Sequence, residues 1–600
     1  MQSQANPQGA RGETLFKIAL VIAVGLIIIR GAVTIAQGTG LDAASNDDLM
    51  RMMSVRDWMS GQSWFDMTQY RLIPETGVSM HWSRYIDAGI AAILLPVSLV
   101  TSQDMAETIA AVAWPSFLAI ALICCAGFGA RRLMGPIGGA IAAATVVSYP
   151  TLVSGYFLPG RVDHHSVQIL LMTIACISIA LPDQPGRRGI IAGFAAGLSL
   201  VVSLETMFLI AAIGAAHVID FALGRSGGAR RLAGFCATLS VSAVVLFLGQ
   251  TPPAEWTVPY CDEIALPFLA IACIGSLAGM ASLLLPSNLR RPWSILGVVG
   301  GVTALGFFVS WPLIGGCVQS PYGNLPEETQ NFISNTIMEA LPLVAFAQRL
   351  PDLAVNTFAM AIVAVGGATC LYLWELRIQK VRPGLIHLLV FAWIGLLASV
   401  WQVRQVIIVA AVVPFVLAYF VQYFIDRRLE QPSSSTQMAM YGVLAITLFL
   451  PTLVAGVSEV QAAIPGADEP QTNWTNKDDS CNELARLSNL NAIAPSTILT
   501  SINVGPALIY ATHHAALSAP YHRSNDAIVN GNAFALIDDT AFSRALKEMG
   551  ARHLIVCENS RYGTEESIGS RLAAGEPVPG YARIDLGGPN LMLFEVVETP

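Results

Sequence analysis

The stretch Ser45-Asn46-Asp47-Asp48 follows an apolar run, residues 15–36, that is long enough to cross a membrane. These four residues open a polar loop with further charged or titratable side chains: Arg51, Arg56, Asp57, Arg71, His81 and Arg84. So many charges beside a membrane span are tolerated when the loop lies in water. The sequence therefore predicts a membrane protein with a polar site in its first long loop.

The overall composition is also typical of a membrane protein. Hydrophobic residues make up 54% of the 600 residues, charged residues make up 12%, and the mean hydropathy is +0.58. Soluble domains carry about 25% charged residues. The net charge of −8 provides no basic surface for nucleic acid. The run 15–36 lacks a small-residue cleavage site, so we expect a retained span and not a signal peptide.

Apolar runs predict an all-α polytopic membrane domain of about 13 transmembrane helices, each close to the length that a bilayer requires. The runs are 15–36, 107–130, 136–153, 166–182, 188–204, 206–223, 231–249, 264–286, 292–312, 353–376, 384–401, 403–424 and 438–457. A shorter, proline-interrupted run at 88–100 predicts an interfacial or re-entrant helix. We assign residues 1–460 to this domain.

Basic residues predict its orientation, because Lys and Arg concentrate on the cytoplasmic side of membrane proteins. With 13 spans, the basic clusters fall on one side: Arg11 and Lys17, Arg131-Arg132, Arg187-Arg188, Arg225 with Arg230-Arg231, Arg290-Arg291, Arg377 with Lys380 and Arg382, and Arg427-Arg428. We therefore expect a cytoplasmic N-terminus in a bacterial-type inner membrane. The expected external segments are 37–106, 154–165, 250–263, 313–352 and the C-terminal tail.

The sequence of the tail, residues 461–600, predicts a soluble α/β domain on the external, periplasmic face. Short strands are expected at 494–501, 553–557, 584–586 and 591–597, and helices at 481–490 and 538–549. About 135 residues suffice for a separate core.

The cysteines divide into two groups. Six of the ten lie in apolar runs, where cysteine is an ordinary small core residue. The other four all fall in segments predicted to be external, where disulfides are permitted. The preferred pairs are Cys261–Cys317 and Cys481–Cys557, although the sequence also allows free thiols.

Three external segments hold acidic or metal-binding side chains beside a span. They contain Asp47-Asp48, the run Gly160 to His165, and Thr336-Ile337-Met338-Glu339. Singly, each has an ordinary explanation: a helix start, interfacial side chains, and a solvated loop acid. Together, carboxylate oxygens and an imidazole on one membrane face suit a divalent cation, Mg²⁺ or Mn²⁺. The expected metal-binding residues are Asp47, Asp163, His165 and Glu339.

At these residues the chain resembles the catalytic subunits of bacterial and archaeal oligosaccharyltransferases, which belong to the GT-C class of polyprenyl-lipid-dependent glycosyltransferases. Ser45-Asn46-Asp47 is similar to that family's first-loop S-N-D motif, and Gly160 to His165 to its second-loop motif, which ends in D-x-D. Thr336 to Glu339 is similar to its fifth-loop motif. The resemblance implies a GT-C membrane domain with an external C-terminal domain, and catalytic roles for Asp47, Asp163 and Glu339.

The resemblance also supplies a phosphate-binding candidate. Ser399 to Arg404 is similar to a family segment whose arginine holds the donor's phosphates, and a bidentate guanidinium suits that role. Further candidates for substrate binding are Arg56, His81, Arg84, Arg161, His164, Thr336, Asn503, His514 and His522. Glu205 is expected in an external turn, facing a groove for the lipid substrate.

Two departures from the family pattern change the expectation. The W-W-D-Y-G motif, which reads the acceptor's hydroxyl residue, is replaced by Thr500 to Gly505, so we expect an acceptor other than an asparagine sequon. His165 stands where the family has a second acid, which shifts the metal preference towards Mn²⁺ or another transition metal.

The resulting hypothesis is a glycosyltransferase that moves a sugar or oligosaccharide from a polyprenyl-phosphate or -pyrophosphate donor to a glycan, lipid or protein acceptor, with inversion at the anomeric carbon. A second hypothesis keeps the fold and uses a polyprenyl-monophosphate donor without a metal. A third is a transporter for lipid-linked sugars, which would carry charges through its spans. A fourth is a membrane-anchored assembly factor with the tail as its binding module.

Overall fold

A computed structural model of the chain describes residues 7–319, 325–380, 382, 384–430, 481–586, 588 and 590–597. The described part before residue 431 is mainly helical, with one two-stranded hairpin. Its elements are α1 (Pro7–Gln37), α2 (Asn46–Met59), β1 (Thr68–Gln69), β2 (Val78–Ser79), α3 (Arg84–Ser98), α4 (Gln103–Met134), α5 (Pro136–Ser148), α6 (His165–Ala180), α7 (Pro185–Val202), α8 (Met207–Ala222), α9 (Gly228–Gln250), α10 (Leu266–Leu283), α11 (Pro292–Gln319), α12 (Glu327–Thr336), α13 (Leu343–Arg349), α14 (Pro351–Arg377), α15 (Leu385–Trp401) and α16 (Val406–Glu430).

Eight helical segments are long and apolar enough to cross a membrane: Ala10–Gln37, Gln103–Met134, Leu204–Ala222, Gly228–Gln250, Leu266–Leu283, Pro292–Val318, Pro351–Arg377 and Val403–Asp426. Four other predicted spans correspond to the shorter helices α5, α6, α7 and α15. The predicted span 438–457 lies outside the described residues. The chain therefore contains a helical membrane domain, while the count of 13 spans, the domain boundary at 460 and the orientation stay predictions.

Several of the predicted basic clusters take part in ion pairs between helices of the bundle. Arg131 pairs with Glu13 of α1 at 2.9 Å, and Arg132 approaches Asp183 at 3.5 Å. Arg225 and His387 both contact Asp220 of α8, at 2.7 and 3.1 Å. The contacts of Arg131 and His387 join two helices each, Arg132 reaches the turn before α7, and Arg225 pairs with a residue five positions earlier in the chain.

Helix α7 packs very closely on α9 because its contacting face consists of glycine at every fourth position. A Cβ atom would lie 2.1 Å from the Arg231 carbonyl oxygen if added at Gly189, and 2.2 Å from Thr238 Oγ1 if added at Gly193. Small residues with this spacing allow two helix backbones to approach in membrane proteins. Since α7 leads directly into the turn Leu204–Thr206, this packing fixes the position of that turn.

The described part of the tail is an α/β domain around one mixed sheet, as predicted. The strands run in the order β4 (Ala515–Ala516), β3 (Thr497–Leu499), β5 (His553–Cys557), β7 (Leu591–Val596) and β6 (Tyr581–Ile584). The first three are parallel, and β7 is antiparallel to both of its neighbours. The helices are α17 (Leu484–Leu487), α18 (Gly505–Ala511), α19 (Asn525–Val529), α20 (Asp539–Met549) and α21 (Ile568–Ala573).

Two local predictions for the tail were wrong. The strand expected at 584–586 lies earlier, at Tyr581–Ile584, and the helix expected at 481–490 is reduced to one α-turn followed by a 3₁₀ turn. In the second case Cys481 is buried and disulfide-bonded to Cys557, and the α-turn begins only at Leu484. The other preferred disulfide, Cys261–Cys317, is also present, with 5.0 Å between the Cα atoms.

The first loop docks directly on the tail domain. Arg71 donates hydrogen bonds to the carbonyl oxygens of Ile509 and Thr512, at 2.7 and 2.5 Å. The Ile73 amide donates to the carbonyl of Ala516, at the edge of the sheet, at 3.0 Å. Buried residues of α2 and α18 belong to one shared hydrophobic cluster. The loop that begins at Ser45 is thus held between the helical bundle and the tail.

Candidate functional site

The site begins at the N-terminus of α2, which Ser45 and Asp48 form together. The Ser45 hydroxyl accepts from the Asp48 amide, and the Ser45 amide donates to Asp48 Oδ2 at 2.8 Å. This reciprocal capping box satisfies two amides that a helix start leaves free. It confirms Asp48 as a helix-start residue.

Asp48 also joins the first loop to the second. Its Oδ1 accepts hydrogen bonds from the amides of Val162 and Asp163, at 2.8 and 2.9 Å. Arg161 approaches its other oxygen at 3.4 Å. Asp48 is fully buried, so the capping carboxylate places Asp163 beside the start of α2.

Asp163 lies among two imidazoles and a guanidinium. Its Oδ1 is 2.6 Å from Nδ1 of His164 and 3.1 Å from Arg51, and its Oδ2 is 2.9 Å from Nδ1 of His165. Burial alone would raise the pKa of Asp163, but the two histidines hold it well below the usual carboxyl range. The same contact raises the pKa of His164, against the effect of its burial.

Arg51 is a buried support behind Asp163. Its guanidinium also contacts Asp87 at 3.1 Å, and Asp87 in turn pairs with Arg84 at 3.0 Å. The side chains of Arg51, Asp87, Arg84 and Asp163 are all at most 3% exposed. Buried charges of this kind persist in proteins when each has a partner, so this alternating chain fixes the orientation of Asp163.

Three short turns bring further charges to His165. Glu205 lies in the turn Leu204–Thr206, Glu339 in Met338–Ala340 and Arg404 in Val403–Gln405. Nε2 of His165 lies 3.3 Å from Glu205 and 4.0 Å from Glu339. Arg404 contacts both acids, at 3.5 and 3.2 Å. Segments far apart in sequence thus meet around one imidazole.

Asp47 faces the same group of charges from the start of α2. Withdrawal from water, together with the negative charges of Asp163, Glu339 and Asp48, raises its pKa to about 7. A carboxyl group whose pKa lies near neutrality can exchange a proton with a substrate. The structure therefore brings Asp163 and Glu339 to opposite sides of the His165 ring, and Asp47 interacts with both carboxylates electrostatically, while the roles of all four residues stay predictions.

The tail domain covers this group from one side. The Asn46 side-chain amide donates to Asn503 Oδ1 at 3.3 Å, and the Tyr521 hydroxyl donates to the Asn46 carbonyl at 3.0 Å. His522 contacts Asp262 at 2.9 Å, and its ring lies 4.6 Å from that of His81. A cavity of about 420 Å³ opens beside His522. The predicted candidates Asn503, His81 and His522 therefore lie at the junction of loop and tail.

Several of the predicted substrate-binding residues have structural partners. Arg56 forms a bidentate ion pair with Glu107, at 2.7 and 2.9 Å, and donates to the Tyr510 carbonyl. Arg84 is 1% exposed, and backbone carbonyls of the first loop share its guanidinium with Asp87. His514 is fully buried, with both ring nitrogens in hydrogen bonds inside the tail.

His514 was predicted as a possible substrate-binding residue, and the structure places it inside the tail, where both ring nitrogens have partners. Thr336 ends α12, and its side chain lies outside the described part. The main residues that the sequence analysis underestimated are Glu205, Arg51 and Asp87. In the sequence, Glu205 stands out as a single charge between two apolar runs, which indicates a special role. Arg51 and Asp87 show no feature beyond their charge that would indicate their contacts.

The site fits a divalent cation on structural grounds. Its donors are carboxylates and imidazoles, which hold Mn²⁺ and Zn²⁺ in proteins. Several of their buried atoms have no hydrogen-bond partner in the described part: Asp163 Oδ2, both ring nitrogens of His165, and Glu205 Oε2. Native structures leave few such atoms without a ligand, water or ion.

Comparison with known proteins gives a match at the level of structure alone. No protein-family model and no curated protein matches the sequence. The archaeal oligosaccharyltransferase AglB from Archaeoglobus fulgidus, solved with an inhibitory peptide and a dolichol-phosphate, matches with a TM-score of 0.64 and 13% identity, over 98% of this chain and 75% of that chain. The same enzyme in complex with Zn and sulfate matches with a TM-score of 0.61 and 13% identity, over 97% of this chain and 73% of that chain.

A more distant match is ArnT from Cupriavidus metallidurans, with a TM-score of 0.40 and 14% identity over 96% of this chain and 98% of that chain. The fold of this chain is similar to that of the archaeal oligosaccharyltransferase AglB, the match with the higher TM-score. The predicted resemblance to the catalytic subunits of oligosaccharyltransferases is confirmed at the level of fold.

Proposed function

We propose that the protein is a GT-C glycosyltransferase that transfers a sugar or oligosaccharide from a polyprenyl-phosphate or -pyrophosphate donor to an acceptor at the external face of the membrane. The observation that carries this proposal is the meeting of Asp47, Asp163, His165, Glu339 and Arg404 from separate segments of the chain. The matching archaeal enzyme was solved with a dolichol-phosphate, which supports a lipid phosphate donor here.

Asp47, Asp163, His165 and Glu339 would form the cation site. A bound divalent cation neutralises charge on a departing phosphate. The related enzyme's complex with Zn and sulfate supports a site of this kind. His165 favours Mn²⁺ over Mg²⁺, because an imidazole binds transition metals better than it binds Mg²⁺.

The remaining roles follow from the chemistry of the chain's own groups. Asp47, at the start of α2, orients the acceptor nucleophile and accepts its proton. The nucleophile forms a bond to the anomeric carbon as the bond from that carbon to the phosphate oxygen breaks, with inversion. Arg404 binds the leaving phosphate, with its two carboxylate contacts exchanged for phosphate oxygens.

The acceptor is proposed to differ from an asparagine sequon. Thr500 to Gly505 occupies the place of the family's sequon-reading motif and approaches Asn46 through Asn503. This segment contains neither tryptophan nor a carboxylate.

The test compares cells that carry the Asp47→Ala chain with cells that carry the wild type and cells that carry Asp42→Ala, a change of an exposed loop acid. Mass analysis of lipid extracts and envelope glycans should show a lipid-linked sugar that accumulates, and a glycan that disappears, only in Asp47→Ala. Unchanged products in Asp47→Ala would contradict transferase activity. Loss of transport across the membrane, with transfer intact in broken cells, would favour a transporter.

A further inference from the structure

Glu205 reaches the centre of the proposed site from a segment that lies outside the family-like motifs. It sits in the turn between α7 and α8, and its side chain is 11% exposed. Its Oε2 lies 3.3 Å from Nε2 of His165 and 3.5 Å from Nε2 of His164. Glu205 therefore approaches the same imidazole nitrogen that faces Glu339.

His165 presents different carboxylates to its two ring nitrogens. Nδ1 lies 2.9 Å from Asp163 Oδ2, whereas Nε2 faces Glu205 and Glu339, at 3.3 and 4.0 Å. One imidazole gives one nitrogen to one ion. A cation held by both His165 and Glu339 must therefore use Nε2, with Asp163 on the far side of the ring.

Buried atoms without a hydrogen-bond partner in the described part lie on both sides of the His165 ring, and on the Nε2 side a second carboxylate, Glu339, also approaches. Neither His165 Nε2 nor Glu205 Oε2 has a partner at hydrogen-bonding geometry in the described part, although the two atoms are close. His165 is 5% exposed. Donor atoms of His165, Glu205 and Glu339 all lie within 4.8 Å of one another. Two carboxylates and an imidazole form a donor set for Mn²⁺ or Zn²⁺ with positions left for substrate.

We propose that Glu205 is a ligand of the cation and supplies the carboxylate that the chain lacks at His165. In this arrangement Nε2 of His165, Glu205 and Glu339 hold the ion. Asp163, counted among the ligands in the proposed function, is here reassigned as a positioning residue that orients the ring through Nδ1, as carboxylates do for metal-binding histidines. This inference rests on the presence of a cation at the site of the proposed function.

The test measures Mn²⁺ binding to the purified full chain in lipid nanodiscs, without donor, from the loss of the free-ion signal in electron paramagnetic resonance. The variants are Glu205→Gln, Glu339→Gln and Asp163→Asn. Glu375→Gln is the matched control, because Glu375 is a buried carboxylate of α14 held by the Tyr419 hydroxyl. Loss of a positioning carboxylate weakens metal binding about 10- to 100-fold. We expect that range for Asp163→Asn, a larger loss for both glutamate variants, and wild-type binding for Glu375→Gln.

Glu205→Asp guards against a folding defect, since it retains the charge on a shorter side chain. It should bind Mn²⁺ more tightly than Glu205→Gln and less tightly than the wild type. Wild-type affinity in Glu205→Gln, with binding lost in Glu339→Gln, would overturn the role of Glu205. Equal losses in Asp163→Asn and Glu205→Gln would make Asp163 a direct ligand and overturn its positioning role. A wild-type chain that fails to bind Mn²⁺ would instead overturn the cation site of the proposed function.

Discussion

At the scale of single residues, Arg51 shows how the site depends on a side chain that faces no substrate. It is fully buried and joins Asp163 to Asp87, so its loss removes one positively charged partner from each of these buried carboxylates. Removal of one partner from a buried ion pair costs about 3–5 kcal/mol. Arg51→Met should therefore lower the free energy of unfolding by about 3 kcal/mol, measured by denaturant titration in detergent micelles.

The control for this prediction is Arg132→Met. Arg132 approaches Asp183 at 3.5 Å, but both side chains are largely exposed, at 60% and 43%. Exposed pairs contribute about 0–1 kcal/mol, so this variant should unfold almost as the wild type does. Equal stability of the two variants would contradict the supporting role of Arg51.

Some of these residues could be predicted from the sequence, and others could not. Asp47, Asp163, His165 and Glu339 could be proposed from the sequence because each lies in a short polar motif beside an apolar run. The role of Glu205 and the burial of His514 depend on contacts between segments far apart in the chain. A local sequence pattern does not reveal contacts between distant segments. The candidates that have partners inside the protein, such as Arg56 and His514, could therefore not be distinguished in advance from candidates that face a substrate.

At the scale of elements, the glycine face of α7 sets the position of Glu205. A Cβ atom on Gly193 would lie 2.2 Å from Thr238 Oγ1 and 2.3 Å from the Phe235 carbonyl oxygen. Overpacking of this kind costs about 1–3 kcal/mol. Gly193→Ala should therefore lower the unfolding temperature, measured by a thermal unfolding scan, and also weaken Mn²⁺ binding, because α7 carries the Glu205 turn.

Gly186→Ala is the matched control on the same helix. Its added Cβ would meet only the Arg230 Cβ, at 3.9 Å, which is an ordinary contact. Alanine also favours a helix over glycine by up to about 1 kcal/mol, so this variant should be as stable as the wild type or slightly more so. If Gly193→Ala behaved in the same way, the close packing of α7 on α9 would be disproved.

Element boundaries were predictable where composition changes sharply. The apolar runs at 107–130 and 353–376 lie within α4 and α14. The run 136–153 did not predict the end of α5 at Ser148, where Pro150 cannot continue the hydrogen-bond ladder and a π-helical turn, Thr151–Tyr156, follows. The strands of the tail are short, so their pairing depends on partners that a local pattern does not reveal.

At the scale of the whole molecule, the tail is held over the site by a charged contact with the loop between α9 and α10. Arg523 forms two hydrogen bonds to Asp262, at 2.7 and 2.8 Å, and His522 contacts the same carboxylate. Burial would raise the pKa of Asp262, but these partners hold it well below the usual range. The contact therefore stabilises the fold while Asp262 is ionised.

This depressed pKa predicts how stability depends on pH. The contribution of the Asp262 contact to the free energy of unfolding is complete above the pKa of a carboxyl group in the unfolded chain, about 3.9. It is lost as the pH falls towards the lower pKa of Asp262 in the folded chain. Asp262→Asn should thus lower the unfolding temperature at about pH 5, and by less near pH 3.5. Glu263, whose pKa burial raises to about 7, is protonated at both of these pH values.

Asp585→Asn, a change of an exposed acid of the tail, serves as the control and should match the wild type at each pH. If the difference in unfolding temperature between Asp262→Asn and the wild type grew as the pH was lowered, the proposal that ionised Asp262 stabilises the fold would be contradicted.

At this largest scale, composition predicted the membrane domain and the tail's size predicted a separate α/β domain. The docking of the tail on the first loop was beyond prediction, because it joins residues more than 400 positions apart, such as Arg71 and Thr512. No local pattern in either segment indicates such a partner.

The most direct test of the central claim, cation-assisted transfer from a lipid-linked sugar, uses the lipid extract of cells that carry Asp47→Ala as the donor source. Purified wild-type chain in nanodiscs is incubated with this extract and with envelope material from the same cells, and the accumulated lipid-linked species is followed by mass spectrometry. The account predicts that this species is consumed, that a chelator stops its consumption, and that added Mn²⁺ restores it. Consumption that continues in the chelator would contradict the role of the cation, and a failure to consume the species at all would contradict the transferase itself.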